Sequence, residues 1–450
     1  MATRLSSSRV YRHLWGTPET DALFDEPAML QRWLDILVAL ARAQEELGIV
    51  PAGSAATIAA HARVEALDLD VIAAETRRTA HSTLGLIRGL QAVLPEEVRE
   101  HVYVGATVQD LSDTWFGTVM RDVGALVWRD LRAIEARLLE LAREHRGTVM
   151  AGRTHGQPGA PITFGFKVAS WADEVRRHLE RLDGARTRWP VGQLAGAVGN
   201  LAFFKDLGAA LRARFCAEVV LADPGMSWLT ARDRIAEFGS VLSMITGTLA
   251  RIGVEVYELA RPEIGELAEP APPGSVSSIT MPHKRNPEAG EHLDTLARLT
   301  RAAAAVLVEG MVGGHERDGR SWKAEWIALP EACQLAATAL RMTRTLLDGL
   351  EVHADAMAAN VARFGGLASE QVLAGLSAKL GKHRAQQVLH EIARVGGGDP
   401  AAGVVEHGYA TAEEVAGWCA APAVSSAMAM VDGVLERAAA ARALERESWP

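Results

Sequence analysis

A short segment beginning at Ser277 carries several side chains that could bind and polarise a carboxylate. It reads Ser277-Ser278-Ile279-Thr280-Met281-Pro282-His283-Lys284-Arg285-Asn286-Pro287. Hydroxyls beside an ammonium and an amide can hold a carboxylate through charge-assisted hydrogen bonds. Prolines and a glycine in residues 269–278 exclude a helix, so the segment is an ordered coil or a mobile lid. By spacing alone, a solvated loop in which Pro287 starts the next helix explains these residues better.

A second candidate is a histidine in the segment Gly152-Arg153-Thr154-His155-Gly156-Gln157-Pro158, between two long stretches of helical periodicity. Histidine titrates near neutral pH, as a general acid must, and the neighbouring glycine and proline predict an exposed turn. A histidine in such a turn is also often merely solvated. A third segment, residues 105–114, predicts a turn followed by a helix N-terminus, with Asp110, Ser112 and Asp113 as candidate caps.

The loop resembles the signature of the fumarase/aspartase superfamily, Gly-Ser-Ser-x-Met-Pro-x-Lys-x-Asn-Pro, with Ile279 in place of one serine. Aligned from Met281, the family's catalytic serine falls on Ser278, whereas a one-residue insertion would select Ser277. The resemblance implies an anti-elimination in which a base removes a proton beside a carboxylate of a succinyl group. An acid then protonates the leaving group, and fumarate departs. The dianionic intermediate needs preorganised donors, which Lys284 and Asn286 could supply.

The other two segments resemble parts of the same superfamily. Residues 152–158 resemble a segment of adenylosuccinate lyases whose histidine is an acid or a ligand, paired with a glutamate thirteen residues after the serine, here Glu291. Residues 105–110 resemble a carboxylate-binding Gly-Ala-Thr-Ser-Gln-Asp in which Val108 replaces the serine. The predicted catalytic residues are therefore Ser278, His155 and Glu291, and the predicted substrate-binding residues are Thr107, Gln109, Thr154, Lys284, Asn286, His81, Arg153, Gln157 and Ser277. His81 stands where those lyases have His-Asp, as either a ligand or a structural histidine.

Two further segments favour another branch of the superfamily. Residues 227–234, and the run 315–318 followed by 322–331, resemble 3-carboxy-cis,cis-muconate cycloisomerases. Trp228 stands where adenylosuccinate lyases place a substrate-binding glutamine. His155 favours elimination, because several cycloisomerases have tryptophan there. We therefore predict a lyase that releases fumarate from a small substituted succinate, of the N-substituted aspartate or nitrosuccinate type. The alternatives, in order, are a 3-carboxy-cis,cis-muconate cycloisomerase, an adenylosuccinate lyase and a non-catalytic structural homologue.

The elements that must position these residues are predicted to be helices. Alanine, leucine, arginine and glutamate dominate, and apolar residues recur at helical spacing from Leu111 to His145, which predicts one long helix. Similar stretches run over 162–189, 224–262 and 287–330, the last interrupted by glycines. The predicted fold is all-α and fumarase/aspartase-like, with helical domains over 1–105 and 356–450 around a central long-helix bundle over 106–355.

Composition limits the partners. With 48% hydrophobic residues the chain can bury a large core, and its net charge of −9 has no long run of like charges, which argues against nucleic acid. Three widely spaced cysteines give no metal-ligand spacing, and no signal peptide or membrane span is evident. We therefore expect no cofactor, no metal, no membrane partner and a cytoplasmic location. The resemblance implies a small dicarboxylate substrate and a homotetramer whose active sites are shared between subunits.

Overall fold

The computed structural model describes residues 8–396 and 399–449, and in these residues it is dominated by helices. The helices are α1 (Pro18–Phe24), α2 (Glu26–Glu46), α3 (Ser54–His61), α4 (Leu69–Thr79), α5 (Leu84–Val93), α6 (Val108–Glu144), α7 (Phe164–Ala185), α8 (Gly208–Glu218), α9 (Asp233–Leu259), α10 (Glu288–Glu309), α11 (Gly319–Asp348), α12 (Ala354–Arg363), α13 (Ser369–Leu380), α14 (Lys382–Gly396), α15 (Pro400–Glu406), α16 (Ala412–Trp418) and α17 (Ser425–Leu444). The strands are β1 (Val149–Thr154), β2 (Gln157–Thr163), β3 (Leu267–Ala268) and β4 (Glu351–Val352). They pair antiparallel as β1 with β2 and β3 with β4. The predicted all-helical class is confirmed, with these two small sheets as additions.

Helix α6 is the long helix predicted from the apolar periodicity, and it spans 37 residues. Its apolar positions are buried, among them Val119, Val123 and Leu131. Helices α6, α7, α9, α10 and α11 pack against one another as the central bundle. Helix α9 is long and apolar enough to cross a membrane by composition, but 67% of that apolar window is buried inside the bundle, as in a core helix.

The stretch from 287 to 330 departs from the prediction at one end. The expected interruption is present, because residues 310–318 form a coil between α10 and α11. The expected end at Pro330 is wrong, since Pro330 lies inside α11. Proline costs a helix one N–H donor, and here the buried neighbours Leu329, Ala332 and Cys333 hold the helix in the core on both sides of it.

The C-terminal region divides between two environments. Helices α13 to α16 surround a small core of their own, which includes Val372, Leu376, Val388 and Val404. Helix α17, however, packs against α6 and α7 of the central bundle. The division into three domains at residues 105 and 355 stays a prediction.

Candidate active site

His155 lies at the tip of a β-hairpin formed by β1 and β2. Thr154 pairs with Gln157, and the two residues between them, His155 and Gly156, have φ values of 53° and 76°. Two consecutive positive φ values are typical of the tight type I′ turn that suits hairpins. The predicted turn is therefore a rigid hairpin end, on which Thr154, His155 and Gln157 are all exposed.

Arg153, two residues before the histidine, is engaged by the protein itself. Its Nη1 donates to Oε2 of Glu266 at 2.9 Å and its Nη2 to Oε1 at 2.7 Å, and the Glu266 carboxylate is fully buried. Such a bidentate pair fixes the orientation of both planar groups. The geometry thus gives Arg153 an intramolecular partner and offers no support for its predicted substrate contact.

The loop over residues 269–287 is fastened at both ends. At its start, the Glu269 carboxylate accepts N–H bonds from Ala289 at 2.9 Å and Gly290 at 2.7 Å, which satisfies the first turn of α10. Burial raises the pKa of this carboxyl above its ordinary value. Near its end, Arg285 pairs with Glu351 at 2.8 and 3.2 Å. The residues between these anchors are largely exposed.

Within the loop, hydrogen bonds involve three of the predicted site residues, Ser277, Ser278 and Asn286. The Ser278 hydroxyl oxygen accepts the N–H of Met281 at 3.1 Å, and the Asn286 amide donates to the carbonyl of Ser277 at 2.8 Å. Lys284 is exposed on the same loop. Ile279, which replaces the family's second serine, has 96% of its surface exposed. On this loop Lys284 is therefore exposed, whereas Ser277, Ser278 and Asn286 are half-buried.

Arg317, a residue that the sequence prediction missed, contacts the N-terminus of α6. Arg317 donates from Nη1 to the Thr107 hydroxyl at 2.6 Å, and its guanidinium carbon lies 5.9 Å from the centre of the Trp322 ring. Within residues 8–396 and 399–449 it forms no ion pair with an acidic side chain. The sequence signal was the run 315–318 after the glycine break, which we used only to assign the branch. An arginine aimed at a helix N-terminus is an arrangement that attracts an anion.

Asp110 organises the backbone around this position. Its carboxylate accepts the N–H of Thr107 at 2.8 Å, of Ala195 at 2.9 Å and of Gly196 at 3.2 Å. Burial raises the pKa of Asp110 to about 7, although the three backbone donors oppose that shift. The candidate cap from the sequence therefore also joins the start of α6 to a loop more than eighty residues away.

Gln109 lies in a buried polar network beneath this site. Its Nε2 donates to Asp113 at 3.0 Å and to the carbonyl of Leu229 at 2.7 Å, and Arg232 bridges Asp113 and Glu325. Because Gln109 is fully buried, its predicted substrate contact finds no support in this geometry. Trp228 is also buried and donates to the Gly192 carbonyl at 2.9 Å, so it is a core residue.

His81 has one ring nitrogen committed and one available. Its Nδ1 accepts the N–H of Leu84 at 3.1 Å at the start of α5. An accepting Nδ1 places the proton of the neutral ring on Nε2, which is then a donor. The geometry therefore accommodates both alternatives, a structural histidine and a ligand.

Unusual backbone conformations occur beside several of these residues. Ala80, Tyr103, His155 and His315 have φ values between 52° and 64° although none is glycine. They lie next to His81, four residues before Thr107, at the hairpin tip and two residues before Arg317. Left-handed backbone at such residues is costly, and it persists where the surrounding structure enforces it, often at functional sites.

The separate groups are not joined within one chain. In the described part of the molecule, no hydrogen bond or ion pair connects His155 with Glu291 or with Ser278. Glu291 is exposed in the first turn of α10, where its neighbour His292 bonds the Leu14 carbonyl at 2.7 Å. The predicted pairing of His155 with Glu291 therefore stays a prediction.

Comparisons with known proteins agree on one kind of enzyme. A family model described as "Lyase" matches residues 15–300. The N-acetyl-S-(2-succino)cysteine lyase of Dickeya dadantii (strain 3937) is 40% identical over 392 residues, which cover 87% of this chain and 86% of that protein. The nitrosuccinate lyase of Streptomyces davaonensis is 39% identical over 386 residues, 83% of this chain and 81% of that protein. The crystal structure of 3-carboxy-cis,cis-muconate lactonizing enzyme from Pseudomonas putida superposes with a TM-score of 0.87 at 31% identity, covering 95% and 98% of the two chains.

Proposed function

The chain belongs to the fumarase/aspartase superfamily of lyases, and we propose that it eliminates a substituent from a small substituted succinate to release fumarate. The relatives act, by their names, on succinates that carry a sulfur or a nitro substituent. The nitrosuccinate type was one of the substrates predicted from the sequence. A thioether of succinate extends that prediction, because its C–S bond can break with the electron pair on sulfur, and an acid then protonates the departing thiolate.

The observation that carries the proposal is the carboxylate receptor at the start of α6. Arg317 and the Thr107 hydroxyl meet at 2.6 Å at the N-cap of α6. The positive end of a helix dipole favours a carboxylate, and so does a guanidinium that has no acidic partner among residues 8–396 and 399–449. One carboxylate of a succinyl group would bind here.

The loop supplies the chemistry at the other carboxylate. A proton beside a carboxylate is very weakly acidic, so the doubly charged intermediate must be stabilised as it forms. Lys284 and Asn286 are positioned on the loop to do this, and closure of the loop over substrate would exclude water. Ser278 is the proposed base, and the N–H of Met281 that its oxygen accepts would stabilise the alkoxide. This contact favours Ser278 over Ser277.

His155 is the proposed acid. Its place at a rigid hairpin tip leaves the imidazole exposed and able to enter a site built from other segments. Because His155, Ser278 and Thr107 are not joined within one chain, we propose a tetramer in which copies share each site, with Glu291 of one copy as the partner of His155.

A fumarate-release assay over substituted succinates tests this function. The panel contains nitrosuccinate, an N-substituted aspartate and N-acetyl-S-(2-succino)cysteine, and fumarate is measured by its ultraviolet absorbance. We expect the wild-type protein to release fumarate from at least one of them. Ser278→Ala should lose about 10³-fold or more in kcat, because the base is removed. Ser275→Ala, an exposed serine of the same loop, is the control and should retain full activity.

Two outcomes contradict the proposal. Normal turnover by Ser278→Ala, combined with loss of activity in Ser277→Ala, would move the base to Ser277. No fumarate from any compound, together with conversion of 3-carboxy-cis,cis-muconate to a lactone, would instead favour the cycloisomerase. The structural similarity to the lactonizing enzyme supports that second candidate, which also predicts that His155→Ala remains active.

A further inference from the structure

Glu266 is a fully buried carboxylate that contacts two distant parts of the chain. Its carboxylate oxygens accept hydrogen bonds from Nη1 and Nη2 of Arg153 at 2.9 and 2.7 Å. Its Oε1 also accepts a hydrogen bond from the Asn360 amide at 2.8 Å. Asn360 lies in α12 and donates in addition to the carbonyl of Ile264. A buried charge of this kind is retained only when its partners satisfy it, and here all three bonds are short.

The two ends of the ion pair lie beside the two catalytic segments. Arg153 is the penultimate residue of β1 and precedes His155 by two positions, so their Cα atoms are within about 7 Å. The hairpin register shifts between Gly152 and Arg153, at the position from which the arginine reaches Glu266. Glu266 comes directly before β3 and three residues before Glu269, the anchor at the start of the serine loop.

We propose that Glu266 is a positioning residue that acts through Arg153 to hold the His155 hairpin against the root of the serine loop. This inference rests on the elimination proposed above. The hairpin tip is exposed, whereas β1 packs on α12 and β2 packs on α7 and α17, so these contacts hold the strands and not the tip itself. A bidentate guanidinium–carboxylate pair fixes both distance and plane, which a single hydrogen bond does not. Arg153 and Glu266 thus set where the acid stands relative to the loop.

A double variant separates this role from simple stabilisation. Glu266→Gln alone would leave Arg153 buried without its counter-charge and could unfold the protein. Arg153→Met with Glu266→Met removes both charges and keeps their volume, a replacement that is often neutral for stability. We expect this double variant to melt near the wild-type temperature and to lose about 10- to 100-fold in kcat, because misplacing a reacting group by about 1 Å has that effect. KM should change less than about threefold, since the carboxylate receptor at Thr107 is untouched.

The matched control is Arg146→Met with Asp432→Met. This pair is also bidentate, with both bonds at 2.6 Å. It joins Arg146, three residues before β1, to Asp432 in α17. It should keep wild-type kcat. Wild-type kcat in the Arg153/Glu266 double variant would overturn the proposal.

Hydrogen exchange gives a readout that does not depend on turnover. Backbone amides of residues 150–157 should exchange faster in the Arg153/Glu266 double variant than in the wild type, as measured by mass spectrometry. Unchanged exchange there would also overturn the proposal. If the wild-type protein releases no fumarate from any substrate, the proposed function fails, whereas the exchange experiment still decides whether Glu266 holds the hairpin.

Discussion

Replacing Arg317 by methionine removes the guanidinium that donates to Thr107 but keeps an unbranched apolar stem beside Trp322. A hydrogen bond to a charged group contributes about 1.5–3 kcal/mol when both partners are held in place. Because about 1.4 kcal/mol corresponds to a factor of ten, Arg317→Met should lower kcat/KM about 10- to 150-fold. Most of this loss should appear in KM, since the substrate carboxylate is bound before and after the proton is removed. The melting temperature should change little, because Arg317 has no acidic partner within residues 8–396 and 399–449.

The assay measures initial rates of fumarate release across a range of substrate concentrations. Arg320→Met is the matched control, because Arg320 lies three residues away, has 81% of its side chain exposed and pairs only at the surface with Asp318. Surface ion pairs contribute little, so its kcat/KM should equal that of the wild type. An unchanged kcat/KM in Arg317→Met, or an equal loss in Arg320→Met, would refute the assignment of the carboxylate receptor.

Two further predictions concern stability. An unfolded aspartate loses its proton near pH 3.8, whereas buried Asp110 keeps its proton to about pH 7, so the folded state binds more protons in between and rising pH lowers stability. The stability of the wild type relative to Asp110→Asn should therefore fall between pH 4 and 7, as followed by thermal unfolding, and a difference that rises with pH would contradict this. Gly124→Ala should lower the melting temperature by several degrees, because its Cβ would lie 2.9 Å from the Trp449 ring. Gly247→Ala in α9, where the new methyl meets open space, is the control and should be neutral or stabilising.

Much of the fold could be predicted because the apolar residues of its long helices recur at helical spacing. The apolar spacing of residues 111–145 specified α6 nearly to its ends, and the glycines after residue 309 specified the break before α11. Pro330 was misjudged because a proline's local cost says nothing about how strongly the flanking residues are buried. The β1/β2 hairpin was read only as a turn, since its short strands contain glycine and proline and depend on packing of β1 against α12 and of β2 against α7 and α17.

The candidate site shows the same division. Residue types and spacing in 277–287 identified the family and the loop without any coordinates, because the residues that carry the motif's chemistry all lie within these eleven positions. The partners of the arginines near the predicted motifs could not be predicted from the sequence. Arg153 pairs with Glu266, 113 residues away, and Arg317 meets Thr107 across 210 residues. Both are arginines near a predicted motif, yet one is held by a buried acid and the other donates to a hydroxyl.

Residue types and their spacing were enough to predict the class of enzyme, the helical architecture and the loop that carries Ser278, Lys284 and Asn286. The packed structure was needed to show that Gln109, Arg153 and Trp228 are engaged inside the protein and that Arg317 donates to Thr107 at the start of α6. The physical reason is that the free energy of burying a charge or an amide depends on which groups meet it. Those groups are brought together by the packing of distant segments, so they cannot be predicted from the residues that are neighbours in the sequence.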